Sequence, residues 1–550
     1  MRFLLICMAA ALSATSAIAQ EATDDAPFAD IRIRPDGDDM LVTVVLDAPV
    51  TRFAFARADV VREDAFDIVT PGLSLVDDAV VSDEPFASFG FRIAEDYSER
   101  DAKYPPYYRV GEGRLVYAPA IYPDADDYEV TLHLDPLPAG WSRWPDTPLP
   151  QGYVFMGPSE MVKAQGGASF AFDGNGDDAF EAEIRDSVTC ALGYLQKAFG
   201  TPPAREPFVA TSILPSDRTF YTGDVTDDAM VALRFFGDNF DPSAKDRLEN
   251  VRSIILHEGV HFWNGGVASF AQGTPQWLHE GGAEYLALLG SYRLGWTDRE
   301  AMRGRIGMWY DRCATSLHYS DEAALNDIAN LNASLRYSCG PLLHVLAELY
   351  LADAGLPMTV TGGWRQTIAL AVDEHGGEYD LPLFLAALGA PELLQNPALD
   401  AILAQSGAER WDTVFSEMQR LGVEVERRSS PILRARSVLM PVIASQCTDL
   451  QPGEGYGFYG GSETFRLDTP EGCGLLSGGP ELATLSGYPV AQLDDIAYTQ
   501  LRAICDAGET LAFGMADGTV IDVPCTTPLG EAKTQPAITG LPDIAAFAAP

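Results

Sequence analysis

Two short stretches, HEGVH at His257–His261 and WLHEGGAEY at Trp277–Tyr285, constrain this chain more than any other feature. His257 and His261 are four residues apart, so on a helix both imidazoles leave from one face. Glu280 follows His261 after eighteen intervening residues. Two ring nitrogens and one carboxylate make the ligand set of a tetrahedral Zn²⁺ whose fourth position stays open for water. Glu258, next to His257, is placed to take that water's proton. The fold must therefore bring the helix of HEGVH beside the segment that carries Glu280.

The rest of the chain gives this site its setting. At 550 residues the chain is too long for one compact domain, and two to four are expected. The first residues, MRFLLICMAAALSATSAIA, read as a secretory signal: Arg2, an apolar run, then a small-residue cleavage site at Ala17-Ile18-Ala19. The run is too short and ends in residues too small for a membrane anchor. No later stretch is long enough to span a bilayer, so no stable membrane anchor is expected. Cleavage near Ala19 would leave a periplasmic or secreted protein. A net charge of −42 excludes nucleic-acid binding through phosphate contacts. It fits a solvated acidic surface that keeps an exported protein soluble.

Seven cysteines follow the leader: Cys190, Cys313, Cys339, Cys447, Cys473, Cys505 and Cys525. An oxidising compartment favours disulfides. Four cysteines cluster near the C-terminus, where two bridges are expected. Cys313 with Cys339 is a third, which leaves Cys190 unpaired; spacing alone does not fix the connectivity.

Pattern along the chain predicts an α+β multidomain protein. Residues 20–150 read as an N-terminal β domain, with strands in LVTVVLD (Leu41–Asp47), TRFAFA (Thr51–Ala56) and EVTLHLD (Glu129–Asp135). A Pro-rich stretch from Pro136 to Pro158 marks a junction. Residues 159–430 read as a mostly helical domain that holds the site. It has helices near Glu181–Phe199, Ser243–Trp263 and Tyr337–Leu351, and strands in Phe208–Leu214 and Met230–Phe235. Thr274-Pro275 is a cap and first-turn pair for the helix of Glu280. Residues 431–550, rich in Gly, Cys and short apolar runs, read as a C-terminal β-rich domain.

At the opening residues the sequence resembles the aminopeptidase N and leukotriene-A4-hydrolase family of gluzincin zinc metallopeptidases. Their pattern is H-E-x-x-H-x18-E, with Trp two residues after the second His and W-L-x-E-G around the third ligand. His257, Glu258, His261, Trp263, Trp277, Leu278, Glu280 and Gly281 match it. The resemblance implies a thermolysin-like catalytic domain, one Zn²⁺ held by His257, His261 and Glu280, and Glu258 as general base. It also implies a catalytic tyrosine in Y-x-x-G at the opening of a later helix. Tyr337-Ser338-Cys339-Gly340 fits, so Tyr337 would hydrogen-bond the oxyanion. A ligating histidine usually has its second nitrogen held by an acceptor. Glu284, one turn after Glu280, is either that acceptor or a solvent-facing charge. His279 points elsewhere on its helix and is read as no ligand. His344, two turns after Tyr337, lines the cleft or is a core or surface histidine.

The family's exopeptidases carry a G-x-M-E-N strand whose glutamate holds the substrate's free amine. Here that region reads DDAMVALRFFGD (Asp227–Asp238), without an equivalent glutamate, and Asp227 and Asp228 are the nearest acids. Near the C-terminus, GYGF at Gly455–Phe458 resembles the carboxylate-binding loop of PDZ domains, which the glycyl aminopeptidase family of gluzincins also carries. The expected protein is a zinc metallopeptidase acting on peptide or protein substrates through zinc-activated water. Exopeptidase or endopeptidase action, and oligomeric state, stay open. So do two alternatives: a non-peptidase hydrolase at the same zinc, and an inactive peptidase-like scaffold that binds partners through its C-terminal domain.

Overall fold

The structure is a computed structural model. It describes residues 27–56, 60–95, 104–124, 128–134, 136–216, 220–226, 229–237, 245–318, 323–328, 333–407, 409–448, 450, 455–460 and 463–548. The leader with its cleavage site and the pair Asp227–Asp228 lie outside these residues. The fold is α+β, and the chain divides into two compact units: 1–182 with 205–240, and 183–204 with 241–550.

The first unit is built on sheets. Strand Asp39–Ala54 shows why: Met40, Val42, Val44 and Leu46 are buried and the residues between them are less so, the period-2 pattern of a half-buried strand. It lies between Phe28–Asp36 and Ala79–Ile93, with Ile31 opposite Val44 and Ile33 opposite Val42. The outer strand Glu129–His133 runs parallel to Phe28–Asp36. Phe53, Phe55, Phe66, Phe89 and Phe91 fill the core through edge and stacked contacts. A second sheet orders Tyr107–Val110, Gly113–Tyr117, Tyr153–Pro158 and Trp141–Trp144.

A third sheet in this unit orders Lys163–Gln165, Ala168–Phe172, Phe208–Leu214, Met230–Phe236 and Phe220–Thr226. Its three inner strands are parallel and its outer two antiparallel. Every residue of Met230–Phe236 is buried, as an inner parallel strand requires. MVALRF is thus an inner strand, and the antiparallel edge is Phe220–Thr226. Arg234 reaches from the inner strand to Asp224 on that edge as a largely buried ion pair.

The second unit is mainly helical. Among the described residues up to 420 its helices are α1 (Asp178–Phe199, which belongs to this unit from Glu183), α2 (Lys245–Asn264), α3 (Gln276–Arg293), α4 (Arg299–His318), α5 (Leu325–Ile328), α6 (Ala333–Asp353), α7 (Val360–Glu374), α8 (Leu381–Leu388), α9 (Pro397–Leu403) and α10 (Arg410–Arg420). Phe199 stacks on Trp263 at 5.2 Å, and the Trp263 indole N–H donates to Thr201 O at 2.8 Å, which docks α1 on α2. Tyr285 on α3 donates to Glu348 on α6 at 3.0 Å, and the same carboxylate accepts the Val360 N–H that starts α7 at 2.8 Å. Cys313–Cys339 ties α4 to α6.

Two local starts differ from expectation. Pro275 takes the cap position of α3 and has no side-chain oxygen to accept a hydrogen bond there, while the Thr274 hydroxyl donates to Tyr379 O at 3.3 Å. Helix α6 begins at Ala333, so Tyr337 lies in its second turn rather than at its opening.

The C-terminal residues open on a further helix, α11 (Pro431–Gln446), with Ser430 accepting from the Leu433 N–H at 3.3 Å. A six-stranded sheet follows, running from edge strand Gly457–Gly460 through Phe465–Asp468, Glu481–Leu485 and Thr510–Met515 to Val520–Pro524, with Tyr488–Pro489 beside Glu481–Leu485. Helix α12 (Asp495–Asp506) packs with it around a core that includes Phe465, Leu482, Leu501 and Phe513. Cys447–Cys473 and Cys505–Cys525 are bridged and Cys190 is exposed and unbridged, as expected. Strand Gln535–Gly540 returns to pair with Glu424–Arg428. Arg293, Arg299 and Arg303 then hold the carbonyls of 539–547. No helix among the described residues is long and apolar enough to cross a membrane.

Candidate metal centre

Helix α2 ends at Asn264, three residues beyond HEGVH. The N–H groups of Gly265 and Gly266 both turn back to His261 O, at 3.0 and 2.9 Å. Residues 265–275 then lead to α3, which lies close against α2: a Cβ on Gly290 would stand 3.0 Å from Leu256. The i, i+4 pair His257 and His261 and Glu280 in the second turn of α3 meet there.

His257 Nε2 and His261 Nε2 are 3.2 Å apart. Glu280 Oε2 stands 3.4 Å from the first and 3.5 Å from the second. Metal bonds of about 2.0–2.2 Å at a tetrahedral centre put ligand atoms roughly 3.3–3.6 Å from one another. The three atoms match a shared cation, and among the described residues no other group of three or more His, Cys, Asp or Glu does so.

The charges agree with the distances. Glu258 and Glu284 bring two further carboxylates, and the Glu284 Oε1 to His257 Nδ1 separation is 3.4 Å. Burial works against a charge on His257, but Glu280 and Glu284 outweigh it and hold the imidazole protonated well above its ordinary range. Burial likewise opposes the Glu280 charge, and the two histidines outweigh it, so this carboxyl is held far below its usual range. A site with three carboxylates around two imidazoles calls for positive charge at its centre, which a divalent cation supplies more fully than a proton.

Tyr337 stands over this cluster, its ring 5.9 Å from that of His257 and 41% exposed. Burial, then the charge of Glu280, pushes its hydroxyl far above the ordinary tyrosine range, so it remains a proton donor. Glu258 is partly exposed, and its charge is felt by both His257 and Tyr337. All five predicted site residues thus lie in one neighbourhood.

Sequence reasoning missed what lies behind His261. Asn264, fully buried at the end of α2, has its Oδ1 2.9 Å from His261 Nδ1. Its Nδ2 donates to His279 O at 3.2 Å. Tyr379 donates to Asn264 O at 2.9 Å, and the same phenol oxygen is 2.8 Å from His279 Nδ1. The His279 ring stacks on that of His261, centroids 4.6 Å apart, and burial lowers its pKa to about 3. His279 is therefore a neutral neighbour of the ligands. His344 is a core residue, buried between Tyr285 and Trp364, with Nδ1 on Gly340 O at 2.9 Å.

Residues 158–346 match the sequence profile of a family described as peptidase of plants and bacteria. That span contains His257, Glu258, His261, Glu280 and Tyr337. No curated protein matches the chain. In fold it is similar to the crystal structure of an aminopeptidase N family protein from Idiomarina loihiensis, with a TM-score of 0.57 and 12% identity. That alignment covers 94% of this chain and 98% of the other.

Proposed function

We propose that this chain is an exported zinc-dependent metallopeptidase. The observation that carries the reading is the convergence of His257, His261 and Glu280, with ligand atoms 3.2–3.5 Å apart, inside the span that matches a peptidase family. The donor-atom spacing and the nitrogen and oxygen donor set favour zinc over harder cations. Bound there, zinc would act as a Lewis acid on the scissile carbonyl and make water a better nucleophile near neutral pH.

The chain's own residues do the rest. Glu258 accepts a proton from the attacking water on its carboxylate and gives it to the leaving amine nitrogen. Tyr337 keeps its phenolic proton and donates a hydrogen bond to the oxyanion as charge develops there. Glu284, with Oε1 3.4 Å from His257 Nδ1, is the acceptor placed to hold that ring in its ligating orientation. Three disulfides fit an oxidising compartment such as the periplasm or the cell exterior. For the C-terminal sheet we favour a PDZ-like role. Gly455–Phe458 leads into the edge strand Gly457–Gly460, whose outer side could take a peptide C-terminus as an added strand.

The test is a peptide-library digest with native, metal-stripped and zinc-restored protein. One zinc per chain, loss of cleavage on stripping and recovery with zinc are expected. Native protein that cleaves no peptide would overturn the reading. Cut positions also separate the two modes, since trimming from free N-termini and internal cuts give different product ladders. For Tyr337→Phe, kcat should fall about 10²–10³-fold, the range for losing one oxyanion donor, with little change in KM or zinc content. An unchanged kcat would remove Tyr337 from the reaction.

A further inference from the structure

We infer that Asn264, clamped by Tyr379 and His279, is the residue that fixes the tautomer and aim of His261 as a metal ligand. The inference rests on the zinc reading above. It follows from which groups can donate. A backbone carbonyl only accepts, so the contact with His279 O must be made by the Asn264 NH₂ group. The side-chain amide is thereby oriented, and its oxygen faces His261 Nδ1 at 2.9 Å. An amide oxygen also only accepts, so Nδ1 must carry the proton. Nε2 then bears the lone pair, and it is this nitrogen that stands 3.2 Å from His257 Nε2 and 3.5 Å from Glu280.

The clamp around Asn264 closes on itself. Tyr379 has one proton, and Asn264 O takes it at 2.9 Å. The 2.8 Å contact between Tyr379 and His279 is then a donation from His279 Nδ1–H to the phenol oxygen. Asn264, His279 and Tyr379 are all buried, so bulk solvent has little access to these groups. Tyr379 is itself anchored, because its carbonyl accepts from the Ala271 N–H at 2.8 Å and from the Thr274 hydroxyl at 3.3 Å. The short strand Glu378–Tyr379, paired with Ser269–Phe270, thus holds the α2–α3 loop and the orienting amide together. The two ligating histidines are supported differently: a carboxylate faces His257, and a neutral, fully constrained amide faces His261.

The full-length chain, stripped of metal, is titrated with Zn²⁺ against a chromogenic chelator, and its Co²⁺ form is recorded by visible absorption. Asn264→Leu should weaken Zn²⁺ binding by about 10–100-fold, the usual cost of losing such a partner, and should alter the Co²⁺ bands at saturation. Asn264→Asp keeps an acceptor oxygen and should restore affinity to within about threefold of native. Tyr379→Phe deletes one hydroxyl from the clamp and should weaken binding about three- to tenfold, with native circular dichroism. If Asn264→Leu does not fold, Tyr379→Phe decides alone. Native affinity and native Co²⁺ bands in whichever of the two variants fold would overturn the inference while leaving the zinc reading standing. Native protein that takes up no zinc would overturn both.

Discussion

Replacing Glu258 by glutamine is expected to cut peptide hydrolysis by about 10²–10⁴-fold, while zinc affinity stays within a few-fold of native. Glutamine has nearly the size of glutamate and keeps one oxygen, so the cleft is neither emptied nor overfilled. What it lacks is a carboxylate able to take up a proton, and general acid–base catalysis is worth that range. Glu258 is not among the three ligand atoms that converge, so its loss removes a nearby charge but no metal bond. The kinetic signature follows. An interaction made only as the proton moves lowers kcat and kcat/KM together and leaves KM nearly unchanged. A Glu258→Gln variant that retains a tenth or more of native kcat would take the general-base role away from Glu258. A variant that loses zinc along with activity would make Glu258 a structural part of the metal site. Both are read from one preparation, by kinetics and by metal content.

What the sequence revealed, and what it hid, divides by the range of the interactions. The convergence of His257, His261 and Glu280 was legible because the histidines sit four residues apart on one helix and the glutamate follows on the next helix. Asn264 could have been suspected, since it is three residues beyond His261 and so near the same face. Its clamp could not, because Tyr379 acts across 115 positions and only packing brings it there. Strands were found by alternation, yet Leu41–Asp47 and the first four residues of Thr51–Ala56 proved to be parts of one strand, Asp39–Ala54. The pairing with Ala79–Ile93 shifts register between Val45 and Val50, which accommodates Pro49 within the strand. Helix α11 was hidden inside a stretch read as β-rich by composition, although Ser430-Pro431 is a good start signal. The four C-terminal cysteines pointed to two bridges. Their pairing needed the fold, which brings Cys447 to Cys473 and Cys505 to Cys525.

Adding one methyl group at Gly281 is expected to damage stability and catalysis together. In an unconstrained helix, Gly→Ala stabilises by about 1 kcal/mol. At Gly281 the new Cβ would lie 2.4 Å from both Cα and C of Gly340, and 2.9 Å from its O. The reverse change is no easier, since a Cβ on Gly340 would stand 2.5 Å from Trp277 O. These neighbours are backbone atoms, so no rotamer change relieves the overlap and α3 and α6 must move apart. Overpacking costs about 1–3 kcal/mol, and rigid neighbours push toward the upper end, so the clash outweighs the propensity gain by roughly 2 kcal/mol. The movement matters because of what flanks the contact: Glu280 precedes Gly281, and Tyr337 lies one turn before Gly340. Relieving a 2.4 Å contact needs on the order of 1 Å of separation, and misplacement of that size can cost about 10²-fold in rate. Gly304→Ala on α4 is the control, because nothing lies within 4 Å of its added Cβ. That variant should gain up to about 1 kcal/mol and keep its activity. Chemical denaturation and kcat, measured on both, separate the cases. If Gly281→Ala proves as stable and as active as Gly304→Ala, the α3–α6 contact does not hold Tyr337 against Glu280, and the tyrosine must be positioned by something other than this crossing.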